Sequence, residues 1–181
     1  MGIILLHACC APCSTVVAEY FRAEQREPLL YYYNPNIQSY AEYQLRRDAL
    51  LQFASGARFE LLIDEAYQPL DFLRHVLTME GNRCEYCYEL RLEKAAQKAC
   101  ALGIREFSTT LFVSPYQDRD KIIAIGSSIA KKYQLTFLTP DLRSQYRRSI
   151  ELAKSMQLYR QGYCGCLLSE YERYFPSERK E

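Results

Sequence analysis

The chain has no tryptophan, no Gly/Ser-rich linker, no internal repeat and no low-complexity tract. With no linker and no shift in composition, its 181 residues read as one domain, 1–181, long enough to bury a sizeable core. The longest apolar runs are strand-sized, so none of them can span a membrane. The start, Met1-Gly2-Ile3-Ile4-Leu5-Leu6-His7, lacks a basic leader and reaches cysteine too soon for a secretory signal. Leu6 stands where a myristoylation motif on Gly2 wants Ser or Thr. A cytoplasmic protein without a membrane partner is expected. Excess charge is also lacking: the net charge is +1, which argues against a general nucleic-acid coat. A local basic face stays open, from Arg46-Arg47, Lys131-Lys132 and Arg143 with Arg147-Arg148, although any single pair reads first as solvated helix surface.

Several catalytic signatures are missing as well. There is no G-x-G-x-x-G, hence no dinucleotide fingerprint, and no Walker-type phosphate loop. The S-G-G-x-D-S loop of the ATP-pyrophosphatases that thiolate tRNA is absent, and no Ser/His/Asp triad is legible. Electron transfer is the chemistry that the remaining residues support.

What the chain has is cysteine. Seven of eight fall in three tight groups: Cys9, Cys10 and Cys13; Cys84 and Cys87; Cys164 and Cys166. Clustered cysteines in a reducing compartment mean metal or redox chemistry. Two residues between Cys84 and Cys87 let both sulfurs reach one metal, and adjacent Cys9-Cys10 supplies a second pair. Four thiolates suit zinc or a [4Fe–4S] cluster, and adjacent cysteines fit the usual zinc spacing poorly. Inert buried thiols are the plain alternative. Cys10-Ala11-Pro12-Cys13 between a strand and a helix also has the form of a thioredoxin-like redox site, but Cys9 is then unexplained. Cys164-Gly165-Cys166 would close a small, strained and readily reduced disulfide ring, so it reads as a redox pair; the alternative is one further metal ligand. Cys100 reads as core packing, and His75 as an ordinary helix residue. His7 is either a satisfied core histidine or a proton donor behind the cysteines.

Strand-like runs at Ile3–Leu6, Leu29–Tyr33, Phe59–Ile63, Glu106–Thr110 and Thr136–Leu138 alternate with helical patterns. Ser14 is expected to cap the first helix, and Ser39 with Glu42 to form a capping box on the second. Leu70, Leu73, Val76 and Leu77 repeat at helical spacing. Further helices are expected from about Tyr88 to Leu102, over Asp118–Tyr133 and over Ser144–Leu158, with a short helical tail. This is an α/β domain with a mostly parallel sheet flanked by helices, and ligands bind such sheets at the carboxyl ends of the strands. Three polar loops leave that edge: Cys9–Cys13, Asn34-Pro35-Asn36 and Thr109-Thr110.

Five motifs in series, covering nearly the whole chain, resemble the QueH family of epoxyqueuosine reductases. They are His7-Ala8-Cys9-Cys10-Ala11-Pro12-Cys13-Ser14, Tyr33-Asn34-Pro35-Asn36-Ile37, Cys84-Glu85-Tyr86-Cys87-Tyr88-Glu89-Leu90-Arg91, Ser108-Thr109-Thr110-Leu111 with Ser114-Pro115-Tyr116, and Tyr163-Cys164-Gly165-Cys166. The resemblance implies an adenine-nucleotide-hydrolase, Rossmann-like fold and cobalamin-independent reduction of epoxyqueuosine to queuosine in tRNA. It implies Cys9, Cys10, Cys84 and Cys87 as [4Fe–4S] ligands, and Cys164 and Cys166 as a redox-active disulfide. It implies an additional mononuclear iron, with Cys13 at its ligand position. Partners would be tRNA carrying epoxyqueuosine and an electron donor whose identity the residues do not give. Tyr33, Asn34, Thr109, Thr110 and Tyr116 are then substrate candidates, and Tyr40, Tyr86 and Tyr163 further stacking rings for a splayed anticodon base. A zinc-stabilised tRNA- or nucleotide-binding module without redox activity is the alternative from another class.

Overall fold

The computed structural model describes residues 2–175. Five strands form one sheet in the order β3-β2-β1-β4-β5, and every pairing in it is parallel. The strands are β1 (Gly2–His7), β2 (Arg26–Tyr32), β3 (Leu61–Ile63), β4 (Glu106–Thr109) and β5 (Thr136–Phe137). The helices are α1 (Ala11–Ala23), α2 (Tyr40–Ala57), α3 (Pro69–Thr78), α4 (Arg83–Ala101), α5 (Arg119–Tyr133), α6 (Tyr146–Ser155) and α7 (Leu167–Tyr174).

Central β1 is apolar on both faces, as a strand sandwiched between helix layers must be. Ile4 and Leu6 join the cluster built with α1, α2 and α6, while Leu5 joins the one built with α4 and α5. Helices therefore cover both faces. The strand order reverses between β1 and β4, so their carboxyl ends flank a crevice at the topological switch point. His7 pairs with Thr109 at that end, and the Cys9 and Thr110 segments leave from there.

Several boundaries differ from the sequence reading, each for a local reason. Helix α1 starts before Ser14, at Ala11, with Cys10 as its N-cap; Pro12 tolerates the first turn because no N–H is needed there. Ser14 lies inside the helix, its hydroxyl on the Cys10 carbonyl at 2.7 Å. Ser39 does cap α2 in position but makes no side-chain cap bond, and Glu42 turns to Arg46 and Tyr159 instead of closing a box. Helix α4 begins five residues earlier than Tyr88, at Arg83, because the Asn82 side chain accepts from Cys84 N at 2.9 Å. The third strand is only Leu61–Ile63, and Thr110 belongs to a 3₁₀ turn, Thr110–Val113, after β4. In α3 the buried positions are Phe72 and Val76, while Leu70 and Leu77 are exposed. Cys100 is exposed too, not core: the buried stripe of α4 runs through Tyr88, Leu92, Ala95, Ala96 and Ala99, and Cys100 stands past its edge with its thiol on the Tyr133 carbonyl. No helix of the described residues is long and apolar enough to cross a membrane.

Candidate metal and redox site

The turn from β1 into α1 gathers three sulfurs. The Sγ atoms of Cys9, Cys10 and Cys13 all lie within 4.8 Å of one another. Cys10 is the N-cap and Cys13 sits in the first turn, so the helix start, with its free N–H groups, faces the trio. Thr110 ties the trio to the other side of the crevice: it accepts from Cys9 N at 3.2 Å and donates to Cys9 Sγ at 3.4 Å. Hydrogen bonds from Cys10 and Cys13, with that of Thr110, hold the Cys9 thiol well below its ordinary range. Cys10 is pushed up to about 12: a bond from Cys13 lowers it, but the Cys9 thiolate and burial together outweigh that. A two-cysteine thioredoxin-like site would not need the third sulfur.

The trio rests on a buried polar floor. His7 is fully buried between Thr109 Oγ1 at 3.0 Å and the Tyr33 carbonyl at 3.1 Å. Only Nε2–H can serve a carbonyl, so Nδ1 accepts from the Thr109 hydroxyl. Burial, with Arg91 nearby, lowers His7 to about 4. His7 is thus a neutral, satisfied core histidine. Asn34 donates to the Ala8 carbonyl at 2.9 Å and fixes the backbone one residue before Cys9. Tyr33, Asn34 and Thr109 are all buried in this floor, whereas Thr110 and Tyr116 line the open cleft above it.

That cleft has a volume of about 470 Å³. Cys9, Cys13, Arg91, Gln117, Tyr146 and Cys164 are among its walls, with Arg173 at its rim. The second and third cysteine groups approach from α4 and from the loop before α7. Cys87 is buried against Phe72 and Val76 with Cys166 beside it, and burial pushes its thiol up to about 12. Cys84 is exposed. Cys166 caps α7, its sulfur accepting from Ser169 N at 3.4 Å, and Cys164 Sγ takes a bond from Gln117 Nε2 at 3.8 Å. All eight cysteines are free thiols here. The Cys164 loop is held by Arg46, which is not surface charge but 2% exposed. Its guanidinium meets Glu42 at 2.7 Å and donates to the carbonyls of Cys164 at 2.8 Å and Tyr163 at 3.1 Å.

The family model "Epoxyqueuosine reductase QueH" matches residues 4–172. A protein of that name from Dehalococcoides mccartyi is 35% identical over 171 residues, covering 94% of each chain. The Thermotoga maritima protein of the same name is 36% identical, covering 96% of this chain and 93% of its own. This chain belongs to the QueH family. Among solved structures, U34-tRNA thiolase NcsA from Methanococcus maripaludis with its [4Fe-4S] cluster is similar in fold, with a TM-score of 0.60 at 16% identity over 88% of this chain and 59% of that one. A predicted subunit of tRNA methyltransferase from Methanocaldococcus jannaschii gives 0.57 at 14% identity over 85% and 75%. Those likenesses are of fold alone, a parallel α/β sheet flanked by helices, which is the fold class that the sequence implies.

The donor set fits a thiolate-bound iron–sulfur group. Among the described residues, Cys9, Cys10 and Cys13 alone form a group of three or more metal-type donors within 4.8 Å; Cys84 and Cys87 stand outside it. The buried Arg91 lines the same cleft with Nη2 unpartnered, as expected where an anion belongs. Sequence reasoning placed Arg91 only as the end of a motif, took Arg46 for surface charge and passed over Gln117. An arginine carries the same letter whether solvated or buried, and the one available hint was its helical spacing from a candidate ligand: Arg91 follows Cys87 by one turn.

Proposed function

We propose that the cysteine cleft is where this chain carries out the reaction of its family. The reaction reduces epoxyqueuosine to queuosine in tRNA, the last step of queuosine biosynthesis. Removing the epoxide oxygen consumes two electrons and two protons, leaves an alkene and releases water. The reading rests on one juxtaposition above all: Cys9 and Cys13, two members of the sulfur trio, line one cleft with Cys164 at the switch point of the sheet. A [4Fe–4S] cluster held by Cys9, Cys10, Cys84 and Cys87 would supply electrons singly, and a further iron at Cys13 would add Lewis acidity. The Cys164–Cys166 dithiol supplies the pair: two thiols become a disulfide and release two electrons and two protons. An external donor then restores the dithiol. Thr110 orients Cys9, and Arg46 holds the Cys164 backbone in place. Tyr116, 80% exposed and edge-on to Tyr146, offers a stacking face at the mouth for a base drawn out of the anticodon loop.

Anaerobic reconstitution with iron and sulfide, then assay on epoxyqueuosine-containing tRNA, tests the reading. A brown protein absorbing near ~400 nm is expected. Cys87→Ser should lose iron and activity, whereas Cys100→Ser keeps both. Cys164→Ala with Cys166→Ala should keep its iron and lose repeated turnover. A colourless wild type with stoichiometric zinc and no reductase activity would make the zinc-stabilised binding module correct instead.

A further inference from the structure

The two largest fully buried side chains are both arginines, Arg46 and Arg91. Arg46 has a partner for each guanidinium nitrogen, one a carboxylate and two carbonyls. Arg91 does not. It is 2% exposed, its Nε donates to the Cys87 carbonyl at 3.1 Å, and its Nη2 is buried without any partner. Among the described residues no carboxylate pairs with it. A buried guanidinium lacking a counter-ion is costly, and proteins rarely keep one unless an anion completes the site.

The surroundings identify that anion. Burial opposes the charge on Arg91, while Cys87, Cys164 and Cys9, one from each cysteine group, favour it. Thiols that become metal ligands bring such a charge: four thiolates outweigh the charge of an iron–sulfur core, and the assembly is a net anion. Cys87 and Arg91 stand one turn apart on α4, on one helix face, so a group bound through Cys87 meets the Arg91 guanidinium. A tRNA phosphate is the other anion in this reaction, but the backbone of a macromolecule reaches exposed cations such as Arg173 at the rim before a fully buried one.

We propose that Arg91 is the internal counter-cation of the thiolate-bound iron–sulfur site, a positioning residue that stabilises the bound cluster and raises its reduction potential. The inference rests on the reading that this cleft holds a cluster, and it goes further by naming what neutralises it. Cluster potentials follow net charge and hydrogen bonds to sulfur. Each added electron makes the site more negative, so a fixed cation favours the reduced form more than the oxidised one. Groups next to metal ligands typically change metal affinity about 10–100-fold when removed.

The test compares reconstituted wild type, Arg91→Lys and Arg91→Gln for iron and acid-labile sulfide, for midpoint potential by spectroelectrochemistry, and for tRNA affinity. Arg91→Gln should bind iron about 10–100-fold more weakly or hold it at a more negative potential. Arg91→Lys should keep its iron, and tRNA affinity should stay within about twofold in both. Circular dichroism of the metal-free proteins identifies a folding defect. If Arg91→Gln does not fold, Arg91→Lys decides, and loss of iron from a folded Arg91→Lys overturns the proposal. Wild-type iron and potential in Arg91→Gln overturn it as well. So does an unchanged potential with a tenfold loss of tRNA affinity, which would assign the guanidinium to a phosphate. A wild type that takes up no iron fails earlier, on the cluster itself.

Discussion

His7 shows how far a single side chain is determined by its neighbours. It lies one residue past the apolar core of β1, where an imidazole is buried on both sides and has only Thr109 and the Tyr33 carbonyl to satisfy it. Protonation would give Nδ1 a hydrogen facing the hydroxyl that now donates to it, and would put a cation near Arg91. Desolvation, with Arg91 adding to it, lowers His7 from 6.5 to about 4. A base depressed in the folded state is protonated first in the unfolded chain. Its contribution to stability is therefore complete above about 6.5 and is lost as pH falls through the window down to about 4. The shift corresponds to about 3 kcal/mol. In the metal-free protein, His7→Gln should flatten the loss of urea stability between pH 6.5 and 4 while lowering stability at pH 7.5. An acid limb as steep as that of wild type would show that another group titrates there.

Between elements, the arrangement depends on how α2 holds the loop before α7. Gly165 sits at φ +133°, and a Cβ there would come within 3.0 Å of Arg46 Nη1 and 3.1 Å of Ile37 Cγ1. The loop is also fastened by the Gly165 carbonyl on Gln38 N, Leu167 N on Gln38 Oε1 and the Tyr163 hydroxyl on the Gln38 carbonyl. The Cys164–Cys166 segment thus takes its shape from residues more than a hundred positions earlier. Arg46→Met should cost about 3–5 kcal/mol in urea unfolding, because Glu42 is left buried and unpaired. Arg46→Met with Glu42→Gln should cost less than Arg46→Met alone, since the stranded charge is gone. Gly165→Ala should cost about 1–3 kcal/mol from the left-handed backbone and the close approach of Arg46. A double variant as costly as the sum of the singles would mean that the two residues do not act as a pair.

This clamp also shows where sequence legibility stops. The alternation of strands and helices, the parallel sheet and the rim that collects the loops all follow from local periodicity, and the element order is as read. Helical spacing agrees with the burial of Val16, Val17 and Phe21 on α1 and of Ala49, Leu50 and Phe53 on α2. It fails at Leu70 and Leu77, which are exposed, and at Arg46, which is buried. A helical stripe gives spacing but not its absolute rotation, and on α2 the loop carrying Cys164 decides that rotation by offering carbonyls to a guanidinium. The Cys84 and Cys87 pair was expected just ahead of a helix and lies in its first turns, because Asn82 opens the helix earlier. The cysteine groups were legible because thiols rarely cluster without cause; their buried counter-charges were not, since burial is a property of the whole fold.

Across the whole molecule, near-neutral net charge and a tRNA substrate have to be reconciled by where the cations lie. Several are already paired: Arg148 with Glu19, Arg143 with Asp141, Lys132 with Glu93 and Lys121 with Glu85. Arg46 and Arg91 face inward. Arg173 remains on the cleft rim, and Arg147 is exposed on α6, whose Tyr146 also lines the cleft. A small number of phosphate contacts around one opening follows, and with it a shallow dependence on salt. Each contact should contribute about 0.7–0.9 to the slope of log affinity against log salt. Reversing Arg147 and Arg173 together to glutamate should weaken tRNA binding and reduce that slope by about 1–2, while iron content and the ~400 nm absorbance stay at wild-type values. Reversing Arg148 alone should do less, because its charge is already committed to Glu19. Affinity that is independent of salt, or a paired reversal without effect, would place the tRNA on another face of the protein.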